Sequence, residues 1–130
     1  MRFVVMAVIA LAASGCVWNV DRPNPYEYER WSRLGDDQIA VRKAMLECGY
    51  PSPNGVRDRM ITTETTPDEI AMMGRCMTNS GYLYDGKVFD VCRAGYSDVS
   101  ACQSGASIPK RDVARRLNGK FCQVFPLADV

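Results

Sequence analysis

An apolar run from Phe3 to Ala13 opens the chain, and no run of that length recurs. Beyond it, apolar residues come in short helical stripes divided by proline and glycine. Trp31, Leu34, Val41, Met45 and Cys48 fall along one stripe, which predicts a first helix over 36–48. Gly35 or Asp36 can cap it, Asp36 and Asp37 oppose the positive end of its dipole, and Gly49 supplies a stop. Pro51-Ser52-Pro53-Asn54-Gly55 then reads as a loop. A second helix starts at Thr66-Pro67-Asp68-Glu69, a capping box with proline at the first helical position, and ends at Gly81. Ile70, Met73 and Met77 form its stripe, with Met72 and Cys76 beside it, and a methionine stripe of this kind is more often core than binding groove.

The two openings look alike: Asp37-Gln38-Ile39-Ala40 matches Asp68-Glu69-Ile70-Ala71, and the pair suggests an αα-hairpin. Tyr82–Phe89 carries β-formers around Asp85-Gly86, a two-residue turn signal with arms too short for a sheet. A third helix is expected from Pro109 to Asn118, stopped by Gly119. Val113 and Leu117 face inward, and Asp112 pairs with Arg116. The fold class is therefore mainly α: a small disulfide-stapled helical domain, an αα-hairpin plus a third short helix, with a short β-hairpin or turn.

Residues 1–15 have the three parts of a secretory signal peptide: a positive charge at Arg2, an apolar stretch, and small residues before Cys16. The run is too short for a membrane span, which needs about 20 apolar residues. Residues 16–30, with Pro23 and Pro25, read as a tether, and 31–130 as the domain. Trp18 suits a membrane interface. Equally, Trp18, Tyr26 and Tyr28 pack on the domain.

Composition narrows the chemistry. The chain has 130 residues, a formal net charge of +1, and no histidine. The charge balance gives no general drive towards nucleic acid. Without histidine the commonest general base and metal ligand are missing. Asp68 and Glu69 are better explained by capping than by acid–base work. No cofactor and no metal site is expected, and an enzyme is disfavoured. The segment Lys110, Arg111, Arg115, Arg116 and Lys120 is basic: either a solvated face or a contact for anionic headgroups or an acidic partner.

Beyond Cys16 there are five cysteines, Cys48, Cys76, Cys92, Cys102 and Cys122. In an oxidising compartment disulfides are the default, and the spacings lack the C-x-x-C pairs of zinc sites. A Cys48–Cys76 bond would tie the first helix to the second, and Cys92–Cys102 would close a compact loop. Many arrangements remain open for five cysteines. Cys122-Gln123-Val124-Phe125-Pro126-Leu127-Ala128-Asp129-Val130 echoes the segment from Cys92 through Asp98-Val99 to Cys102, but without the second cysteine. Cys122 is thus the expected odd thiol: the chain is expected to end just short of its partner, through truncation or divergence, the alternative being a surface thiol that makes a disulfide-linked dimer.

Ala13-Ser14-Gly15-Cys16 resembles the lipobox of bacterial lipoproteins, although leucine is more usual where Ala13 stands. The resemblance implies that Cys16 becomes the acylated first residue. Val17 in place of aspartate implies outer-membrane sorting. One acyl chain binds only marginally, whereas the three expected on such a protein anchor it. Met45-Leu46-Glu47-Cys48-Gly49-Tyr50-Pro51, Arg75-Cys76-Met77, Ser80-Gly81-Tyr82, Cys92 to Cys102, and Ile108-Pro109-Lys110-Arg111-Asp112-Val113 together resemble a family of small, uncharacterised, cysteine-rich lipoproteins of Gram-negative bacteria. That family implies the Cys48–Cys76 and Cys92–Cys102 framework, a further cysteine after the second Asp-Val that this chain lacks, and no activity. The expected function is a non-enzymatic interaction module, lipid-anchored in the outer membrane and facing the periplasm, with an envelope protein as partner. Its candidate surfaces are the Pro51–Asn54 loop, the Tyr82–Phe89 hairpin and the basic segment. Alternatives are a toxin-immunity or superinfection-exclusion lipoprotein, and an envelope-structural lipoprotein.

Overall fold

The computed structural model describes residues 24–61 and 64–126. The expected signal peptide, Cys16, Trp18 and Asp129-Val130 lie outside the described residues. Among the described residues, five α-helices and one two-stranded antiparallel sheet make up the fold: α1 (Glu27–Arg30), β1 (Trp31–Ser32), α2 (Gln38–Glu47), α3 (Pro67–Asn79), β2 (Leu83–Tyr84), α4 (Val113–Leu117) and α5 (Lys120–Val124). The mainly helical, disulfide-stapled class is as the sequence implies.

The strongest local signals fold as written. The Thr66 side chain accepts from the Glu69 backbone N–H at 3.3 Å, and the Glu69 carboxylate accepts from the Thr66 N–H at 2.8 Å. Two orphan donors of α3 are thereby satisfied. Asp85 and Gly86 take φ of +50° and +75°, and Tyr84 and Lys87 exchange backbone hydrogen bonds of 2.8 and 3.0 Å across them. The turn does seed a sheet, because β2 pairs with β1 in the register Trp31–Tyr84 and Ser32–Leu83.

Elsewhere the structure corrects the sequence reading. Asp37 is the cap of α2, accepting from Ala40 at 2.8 Å, whereas Asp68 lies inside α3 behind its Thr66 cap. The matching tetrapeptides therefore occupy different helical registers. Leu34 is fully exposed, since the chain bends through the turn at Gly35 before α2 begins. The tether reading fails from residue 27 onward. Tyr28 on α1 is buried, Tyr26 stacks on it at 5.7 Å, and Arg42 lies 4.0 Å over the Tyr28 ring. The domain thus includes α1, because a buried aromatic outweighs the proline-rich approach to it.

α2 and α3 bury Val41, Ala44, Met45, Met73, Cys76 and Met77 around the Cys48–Cys76 disulfide, with Trp31 and Tyr82 completing the core. A smaller cluster of Ala71, Val91 and Ala101 lies beneath the loop closed by Cys92–Cys102. Gly74 is where α3 meets Val91, the residue leading into this loop. A Cβ there would meet the three side-chain carbons of Val91 at 3.2 to 3.4 Å, and Val91 is itself buried. Glycine to alanine inside a helix ordinarily gains about 1 kcal/mol. Here overpacking cancels that gain, and Gly74→Ala is expected to lower stability by about 1 kcal/mol. Urea titration checks this, and adding Val91→Ala should restore the midpoint.

Candidate functional site

The basic segment is the first place where function was expected. Glu47, the last residue of α2, is 6% exposed and gathers that segment around itself. Arg111 donates to its carboxylate at 2.7 Å through Nη2 and 2.8 Å through Nε, and Arg116 at 3.3 Å. Arg115 and the Asp112 backbone N–H both donate to the Glu47 carbonyl, at 2.5 and 3.1 Å. Arg111 also reaches the Tyr82 hydroxyl at 3.3 Å, which donates to Asp36 at 2.5 Å. Three of the five basic residues therefore face inward, and the expected free basic face reduces to Lys110 and Lys120, both exposed.

This clamp sets the register of α4. Val113 and Leu117, expected to face inward, are 51% and 58% exposed, because the arginines occupy the inner side. Asp112 caps α4 by accepting from Ala114 at 2.9 Å, and Arg116 reaches Glu47. The expected single helix 109–118 is only five residues, followed by a second short helix after Gly119. At Glu47 the arrangement is structural: a buried carboxylate held by guanidinium groups.

The cysteines are placed as the resemblance implies. Cys48 bonds to Cys76 and Cys92 to Cys102, both within the chain. Cys122 is a free, half-buried thiol. No group of three metal-ligating side chains occurs among the described residues.

A cleft of about 350 Å³ opens between α1, the 50–57 loop, α3 and the 89–96 segment. Its walls include Tyr50, Tyr84, Phe89 and Tyr96, with Val56, Ile70 and Val91 between them, and it carries one carboxylate, Glu27, and one guanidinium, Arg57. Tyr84 and Phe89 lie 4.8 Å apart, and both pack edge-on against the buried Trp31, at 4.8 and 6.0 Å. Arg30 is committed elsewhere: it covers the Tyr84 ring at 4.2 Å and pairs with Asp85 at 2.5 Å.

Each wall is fixed. The Asp58 carboxylate accepts from the Ser52 hydroxyl, from Asn54 Nδ2 at 2.9 Å and from the Met60 N–H at 2.9 Å, which holds the 52–60 turn. Burial alone would raise the Asp58 pKa, but these hydrogen bonds hold it below the usual carboxylate range. The Glu27 backbone N–H donates to the Asn54 carbonyl at 3.4 Å, joining α1 to that turn. On the far side Asp68 accepts from the Ser100 hydroxyl and the Ala101 N–H, each at 2.7 Å, and the Cys92–Cys102 bond closes the segment that carries Tyr96.

No protein-family model, curated protein or solved structure matches this chain. Burial raises the Glu27 pKa; a hydrogen bond with Tyr84 and the charge of Arg30 pull it down, and Asp85 pushes it up. Tyr84 is pushed up to about 12, by burial first and then by Glu27, so its phenol stays protonated at neutral pH. Burial likewise raises Tyr50.

A carboxyl whose pKa is raised in the fold stabilises the fold in its protonated form. Its contribution is present below the ordinary carboxyl value and is lost as pH rises through the folded one. Glu27→Gln is thus expected to raise the melting temperature at pH 7, with the difference from the parent shrinking below pH ~4. Thermal melts across that range test it.

The sequence reading named two loops that border this cleft, through Asn54 and through Tyr84 and Phe89. It missed Glu27, Tyr50, Arg57 and Tyr96. Only Glu27 left a trace in the sequence, as an acidic residue between Tyr26 and Tyr28 that was assigned to the tether.

Proposed function

We propose that this protein is a lipid-anchored module of the outer membrane that faces the periplasm and recognises a partner without catalysing a reaction. The observation that carries this reading is the pair of intramolecular disulfides holding a helical scaffold whose loops frame an aromatic cleft. Disulfides belong to oxidising compartments, and loops fixed on a rigid scaffold are where recognition is usually placed. The anchor rests on the sequence around Cys16. Among the described residues no helix is long and apolar enough to cross a membrane.

Two measurements test the reading. The full-length protein is expected to incorporate labelled palmitate and to fractionate with outer membranes, and Cys16→Ser to lose both. A photo-crosslinker at Val56, on the cleft rim, is expected to capture one reproducible envelope protein. An assembly component would mark an assembly role, whereas an outer-membrane receptor would mark an immunity or exclusion role. Unchanged fractionation of Cys16→Ser would refute the anchor, and crosslinks only to lipid or cell wall would refute partner recognition.

A further inference from the structure

We propose that the cleft binds a small zwitterion, a free amino acid or dipeptide, with its ammonium group at Glu27 and its carboxylate at Arg57. This deepens the recognition reading above and rests on it.

Charge layout carries the proposal. Glu27 and Arg57 line one cavity, yet among the described residues neither makes an ion pair, with each other or with any other group. Opposite charges sharing a cavity without meeting leave a gap suited to a ligand that carries both. The nearby charges are already committed: Arg30 to Asp85, and Asp58 to Ser52, Asn54 and the Met60 backbone. The Tyr84 hydroxyl donates to Glu27 and Arg30 lends it some positive charge, but neither forms an ion pair with it.

The remaining walls suit the rest of such a ligand. Rings of tyrosine and phenylalanine attract an ammonium group by their negative faces and supply apolar area to a side chain. Tyr50, Tyr84, Phe89 and Tyr96 provide those rings, and Ile70 and Val56 the aliphatic surface. At about 350 Å³ the cavity stands at the small end of ligand sites, which span about 300–1,000 Å³. An amino acid or dipeptide suits it better than a larger ligand. The half-buried position of Glu27 costs folding stability yet places a carboxylate where it is poorly hydrated and binds a cation strongly.

The test is calorimetric titration of the full, lipidated protein in detergent with phenylalanine, leucine and alanyl-phenylalanine, against N-acetyl-phenylalanine and phenylalanine amide. Saturable binding of at least one zwitterion is expected, weakened about tenfold or more by blocking either end, as for loss of one charge-assisted hydrogen bond. Glu27→Gln should weaken the zwitterion and abolish the penalty for N-acetylation. Arg57→Gln should do the same for the amide. Melting curves of both variants establish that they fold.

No saturable binding to any of the three zwitterions overturns the proposal, as does equal binding of the blocked analogues or unchanged affinity in both folded variants. The crosslink at Val56 separates the two levels. Capture of an envelope protein without zwitterion binding overturns the ligand and leaves the recognition module standing. Zwitterion binding with no captured protein supports the ligand and overturns the macromolecular partner.

Discussion

Glu47→Ala is expected to lower stability by about 3 kcal/mol and to free the segment from Lys110 to Val124. The Glu47 side chain is 7% exposed and balances Arg111 and Arg116, which are 27% and 15% exposed. Removing one partner of a buried ion pair costs about 3–5 kcal/mol, because the other charge stays desolvated without compensation. The low end applies because both guanidinium groups can swing partly towards water. Against a typical total of about 5–15 kcal/mol, that loss is large. Glu47→Gln keeps the shape and one acceptor, so a smaller loss is expected. The backbone carbonyl of Glu47 still accepts from Arg115 and Asp112 in either variant. Detachment should therefore show as faster amide exchange in α4 and α5 before global unfolding. Amides of Val113–Leu117 as protected in Glu47→Ala as in the parent would contradict the clamp.

Loss of the Cys48–Cys76 bond is expected to have a comparable effect. Its ends are 28 residues apart, and in the chain-entropy model closing such a loop is worth roughly 3.5 kcal/mol. Both cysteines lie in the main core, at 6% and 1% exposure, so alanine at both positions also leaves unfilled volume. Cys92–Cys102 spans only 10 residues, for which the same model gives roughly 2.5 kcal/mol. Its loss should be smaller globally and felt locally at Tyr96 and Val91, which form one wall of the cleft. Denaturant midpoints of the two double cysteine-to-alanine variants decide the order. Equal midpoints would refute it.

The parts of this fold that were legible in the sequence are those held by bonds between near neighbours. Thr66 and Glu69 are three residues apart, and Asp85-Gly86 makes its turn by its own dihedral angles. Each such signal reports the physics that forms it. The Glu47 clamp spans 64 and 69 residues to Arg111 and Arg116, and nothing in either segment marks the other. A run of arginines reads as solvated until the buried carboxylate it surrounds is known. The cleft has the same character. Its charges and rings come from four separated segments, and only folding brings Glu27, Arg57, Tyr84 and Tyr96 to one cavity. Tyr28 stayed open between tether and domain for a related reason, since proline-rich flanks say that a stretch is irregular but not whether it is buried.

The disulfide connectivity has a kinetic side. From Cys48 onward the bonds join consecutive cysteines, the first to the second and the third to the fourth, and Cys122 follows them without a partner among the described residues. A polypeptide that enters an oxidant amino end first presents its thiols in that order. Each native pair is then complete before the next cysteine arrives. Thiol–disulfide exchange, which depends on access to an attacking thiolate, has little to correct. Refolding of the fully reduced chain presents all its thiols at once, and Cys122 can then compete for Cys92 or Cys102. Vectorial oxidation should therefore reach the native pairing faster than refolding from denaturant.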